Sequence, residues 1–68
     1  MTRANRAHDL QVTRDTIEVV ELASGEVVLF WDVAPDRLRR MARALRADLV
    51  ALEPKAFLAR WSGVEARP

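Results

Sequence analysis

Thr16-Ile-Glu-Val-Val-Glu-Leu-Ala-Ser-Gly-Glu-Val-Val-Leu-Phe-Trp-Asp-Val33 is the stretch that decides the fold. Two runs rich in β-branched and aromatic residues flank Ala23-Ser-Gly-Glu26, a pattern that predicts a β-hairpin. Gly25 is the residue able to take a positive φ in its turn. With Ser24-Gly25 as a two-residue loop, Leu22 faces Val27, Val20 faces Leu29 and Glu18 faces Trp31. Side chains alternate along a strand, so Val20, Leu22, Val27, Leu29 and Trp31 fall together on one face. Ile17, Val19, Val28 and Phe30 fall on the other.

Upstream, Leu10-Gln-Val12 reads as a short first strand, turning through Thr13–Thr16 so that Val12 opposes Ile17 and Leu10 opposes Val19. The result is a three-stranded antiparallel meander with two largely apolar faces, which calls for two covers. Downstream, Ala34-Pro35-Asp36 is a helix start: proline suits the first helical position and aspartate the positive end of the helix dipole. At about 100° per residue, Leu38, Met41, Ala42, Leu45, Leu49 and Leu52 form one stripe. Arg39, Arg40, Arg43 and Arg46 lie opposite. Glu53-Pro54 ends this helix and opens a shorter one through Trp61. Ser62-Gly63-Val64 reads as its C-terminal stop.

The expected architecture is therefore α+β: a three-stranded antiparallel β-meander, a long amphipathic helix and a short C-terminal helix. Residues 1–8 are expected to be a flexible N-terminal arm, 9–64 a single small domain and 65–68 a frayed tail. Sixty-eight residues leave room for one core only. Half the residues are hydrophobic and 31% are charged, a balance that suits a folded globule rather than a disordered chain.

The net charge of +1 hides an uneven distribution. Residues 15–33 carry Asp15, Glu18, Glu21, Glu26 and Asp32 with no basic residue. Residues 34–52 carry five arginines against Asp36 and Asp48. Ten arginines to one lysine is a bias of the kind a G+C-rich bacterial genome produces, so arginine abundance alone assigns no role.

Groups suited to catalysis are few. The chain has no cysteine, and with it no disulfide framework, thiolate metal site or cysteine nucleophile. Its one histidine, His8, falls in the arm and is read as exposed and inert. Alternation sends Glu18 and Asp32 to opposite faces, away from a shared acid–base role. Gly25 and Gly63 are isolated, so there is no glycine-rich phosphate loop. No catalytic residue, metal site or cofactor is expected. No apolar run has the length of a membrane span, and no apolar stretch follows the first charges as in a secretory signal, so the expected location is the cytoplasm, with no membrane partner.

Two surfaces remain. The spare apolar face, with Val20, Leu22, Val27, Leu29 and Trp31, is the expected partner-binding site, because a patch of that kind usually marks an interface. The partner is another protein chain, either a second copy or a larger subunit of an assembly. The function expected is that of a non-enzymatic protein–protein interaction module. The alternative is a nucleic-acid-binding regulator using Arg39, Arg40, Arg43 and Arg46 to follow phosphates. No aromatic residue interleaves that stripe to stack bases, which ranks it second.

Overall fold

The computed structural model describes residues 3–64. It has the expected α+β architecture. Strands β1 (His8–Val12), β2 (Thr16–Glu21) and β3 (Val27–Asp32) form an antiparallel sheet in the order β1-β2-β3. Helices α1 (Pro35–Ala51) and α2 (Pro54–Trp61) follow. Both begin on proline, with Pro35 and Pro54 each in the first helical turn.

The first hairpin has the expected register, Val12 opposite Ile17 and Leu10 opposite Val19. The second does not. Ile17 pairs with Trp31, Glu18 with Phe30 and Val19 with Leu29; Val20 then pairs with Val27, leaving Val28 as a bulge. A two-residue hairpin of the common kind takes positive φ at both positions or at its first, but Gly25 alone does so here, at 76°. The loop is therefore longer. The Glu21 N–H donates to the Glu26 carbonyl, and the Gly25 N–H donates back to the Glu21 carbonyl, each at 2.8 Å. The Ser24 hydroxyl holds the turn by donating to the Glu21 carboxylate and accepting the Glu26 N–H.

A one-residue change of register exchanges the faces of a strand. Leu29 and Trp31 thus join Ile17 and Val19 on the inner face. Both helices pack there. Ile17, Val19, Trp31, Val33, Ala42, Leu45, Leu49, Phe57 and Trp61 make one buried core, with Leu10, Leu29, Leu38, Met41, Leu52 and Leu58 partly buried against it. The helix stripe read from periodicity is the stripe that packs. The two-cover expectation is corrected: α1 and α2 share one face, and neither lies over the other.

Each indole finds a partner for its N–H, as a largely buried tryptophan requires. Trp61 Nε1 donates to Asp48 across the two helices at 2.8 Å, where Arg60 also pairs at 2.9 Å. Trp31 Nε1 donates to the Val64 carbonyl at 2.9 Å, and the two indoles meet edge to face.

The arm expectation also needs correction. The N–H groups of Ala4 and Asn5 donate to the carbonyls of Val50 and Leu49 at 3.0 and 3.1 Å. These belong to the last turn of α1, whose carbonyls lack partners within the helix. Residues 4 and 5 thus cap α1, and β1 begins at His8. Residues 1, 2 and 65–68, including the expected frayed tail, lie outside the described residues.

Candidate interaction surface

The face of the sheet away from the helices carries Asp9 and Gln11 from β1, Thr16, Glu18 and Val20 from β2, and Phe30 and Asp32 from β3, with Val27 and Val28 at the bulge. Its apolar part is concentrated on β3 and the loop before it. Phe30 is 51% exposed, Val27 49% and Leu22 55%, with Val28 also exposed and Val20 half-buried. Single exposed apolar residues are ordinary on protein surfaces; several together on one strand and its loop are not.

Of the expected partner-binding set, Val20, Leu22 and Val27 lie at this surface. Leu29 and Trp31 do not, since they point into the core, where Trp31 is 6% exposed. Phe30 and Val28 replace them. The register shift made this exchange, and the signal for it was present: serine at position 24 argues against a two-residue loop requiring positive φ there.

The two sheet edges differ in their backbone hydrogen bonding. Just outside the two ends of β1, the Ala7 carbonyl accepts from the Leu22 N–H and the Thr13 N–H donates to the Thr16 carbonyl. By alternation His8, Leu10 and Val12 turn their backbone groups outward. Side chains engage three of these groups. Asn5 Oδ1 accepts the His8 N–H at 3.1 Å, Arg3 donates to the His8 carbonyl, and Asp9 accepts the Leu10 N–H at 2.9 Å. On β3, the Val33 N–H bonds to the Asp15 carbonyl at 2.9 Å, so Leu29 and Trp31 face β2 and Phe30 and Asp32 face outward. Nothing among the described residues bonds to the outward N–H and C=O groups of Phe30 and Asp32. One edge is partly covered by the chain's own side chains, a common protection of edge strands, and the other is open.

His8 is buried, contrary to the exposed position expected from sequence. Its ring stacks on Phe57 with centroids 6.2 Å apart. Asn5 Oδ1 accepts the N–H groups of Ala7 and His8, which fixes the orientation of the amide. The oxygen then also accepts from His8 Nδ1 at 3.2 Å. Neither His8 Nε2 nor Asn5 Nδ2 has a hydrogen-bond partner among the described residues.

The register shift also brings Glu18 and Asp32 onto the same face, as diagonal neighbours rather than on opposite sides. No cluster of three metal-ligating side chains exists among the described residues. Arg39, Arg40, Arg43 and Arg46 are exposed on α1, and no carboxylate among the described residues lies within ion-pair distance of them. Arg39 and Arg46 border a shallow groove of about 290 Å³ with Val12, Pro35, Leu38 and Ala42. Among the described residues no helix is long and apolar enough to cross a membrane. Comparison with known proteins returns no match: no family model, no curated protein and no solved structure is similar to this chain.

Proposed function

We propose that this chain is a non-enzymatic protein–protein interaction module that docks another polypeptide against β3 and the open sheet face beside it. The contacting side chains are Val20, Leu22, Val27, Val28 and Phe30. One observation carries the reading. The exposed apolar side chains of β3 lie next to the sheet edge whose backbone groups are open, while on β1 Asn5, Arg3 and Asp9 hold half of the outward groups. Such an edge offers main-chain hydrogen bonds for affinity and alternating side chains for selectivity, the two components of β-strand addition.

The test is the native size of the chain recovered from its own cells. The expected result is a particle larger than the 7.7 kDa chain, reduced to the monomer by Phe30→Glu. A free monomer for the unaltered chain would overturn the reading.

A further inference from the structure

We infer that the seam between α1 and β1 is a second docking site, and that its occupant is an acidic amphipathic helix of a different protein. The seam runs beside β1, at the opposite edge of the sheet from β3, and its use does not depend on the β3 reading.

Two shallow hollows follow one another along it. One, of about 290 Å³, lies between Val12 of β1 and Pro35, Leu38 and Ala42 of α1. The other, of about 270 Å³, lies between Leu10 of β1 and Leu49 and Val50 of α1. Arg46 borders both, so they form one track. From Pro35 to Val50 the track follows about 22 Å of helix. Its floor is apolar, and Val12 and Val50 are 36% and 43% exposed there.

The charge beside the track has one sign. Arg39 and Arg46 line it from one side of α1, two turns or about 10 Å apart. No carboxylate among the described residues is within ion-pair distance of either. At the far end Arg3 and Asp9 offset each other at 3.9 Å. The complementary occupant carries apolar side chains with carboxylates next to them.

Geometry chooses its class. A small-molecule pocket encloses most of its ligand, whereas these open hollows would leave one largely in water. A nucleic-acid backbone would meet the arginines and leave the apolar floor uncovered. A strand needs main-chain partners on β1, where Asn5, Arg3 and Asp9 already hold half of the outward groups. A helix satisfies its own backbone and inserts side chains only. The hollows centre about eight α1 residues apart, roughly 12 Å, which suits anchors two helical turns apart. Neither helix of a second copy qualifies: α1 has five arginines against two aspartates, and α2 has Lys55 and Arg60 with no carboxylate. The occupant therefore belongs to another protein.

The test uses the full chain and a fluorescein-labelled helical peptide about 24 Å long, with leucines two turns apart and glutamates flanking them. Binding is read by anisotropy at about 150 mM salt, where long-range attraction is screened. The unaltered chain is expected to bind this peptide at least about tenfold more tightly than a version with lysine for glutamate, and than one with alanine for leucine. Arg39→Glu combined with Arg46→Glu should abolish the preference for glutamate over lysine. Arg37→Glu combined with Arg40→Glu makes the same charge change outside the track and should alter the affinity by less than about threefold. Circular dichroism checks the fold of each variant, and the peptide comparisons need no variant.

Equal affinities for the glutamate and lysine peptides, or for the leucine and alanine peptides, overturn the inference. So does an equal effect of the two arginine pairs, which would mean unlocalised attraction. Displacement of the peptide by equimolar duplex DNA at the same salt also overturns it, in favour of a phosphate site. None of these results bears on the β3 surface, since Phe30 takes no part in the track.

Discussion

Replacing Asn5 by alanine is expected to cost about 3 kcal/mol, although the residue lies in a segment that sequence assigns to a loose arm. Its carboxamide oxygen accepts three hydrogen bonds, from the N–H groups of Ala7 and His8 and from His8 Nδ1. The side chain is fully buried and His8 is nearly so. Losing an acceptor strands a buried donor at about 1–3 kcal/mol each. The two His8 donors are buried and carry most of the cost, while the Ala7 N–H is only part-buried and can turn to water. A chain of this length is expected to have a total stability of only about 3–10 kcal/mol, so the variant loses a third or more of it. The melting temperature should fall by more than about 10 °C. Urea unfolding followed by tryptophan fluorescence reads this directly, since Trp31 and Trp61 sit in the core. Arg6→Ala, at an exposed neighbour, is the control and should change little. A change below about 0.5 kcal/mol for Asn5→Ala would show that residues 4–8 unfold separately and contribute nothing to the cooperative core.

Three further outcomes are expected. Leu45→Ala empties the centre of the helix stripe, where Leu45 is fully buried, and at about 3–5 kcal/mol should leave the chain largely unfolded by circular dichroism. Gly25→Ala meets no atom within 4 Å, so its cost comes from the φ of 76° alone and should be about 1 kcal/mol in urea unfolding. Changing Arg39, Arg40, Arg43 and Arg46 together to glutamine should leave the melting temperature nearly unchanged. For the unaltered chain, duplex DNA binding should be confined to low salt; tight binding at about 150 mM salt, lost in the quadruple variant, would instead support a phosphate-binding role.

Element order and the packing face of α1 were legible because they depend on local pattern. Pro35 and Pro54 mark helix starts, and Leu38, Met41, Ala42, Leu45 and Leu49 repeat at helical spacing. The pairing of β2 with β3 depended on one turn, and there pattern alone was ambiguous: Val27-Val-Leu-Phe-Trp is apolar at every position, so either register buries a hydrophobic face. Hydrogen bonding in the loop settled it. The buried places of Asn5 and His8 were not legible, because their burial depends on the end of α1 and on Phe57, both distant in sequence. Of the expected interaction surface, Val20, Leu22 and Val27 lie on the open side of the sheet, while the same single-residue shift turns Leu29 and Trp31 inward and Val28 and Phe30 outward.

Amide hydrogen exchange of β3, followed residue by residue in dilute solution, tests the pairing of β2 with β3 and the open edge most directly. In the single chain, Leu29 and Trp31 donate toward β2, while the N–H groups of Phe30 and Asp32 point outward. The register predicts that Phe30 and Asp32 exchange rapidly while Leu29 and Trp31 are protected. Protection of Phe30 and Asp32 with rapid exchange at Leu29 and Trp31 would contradict it.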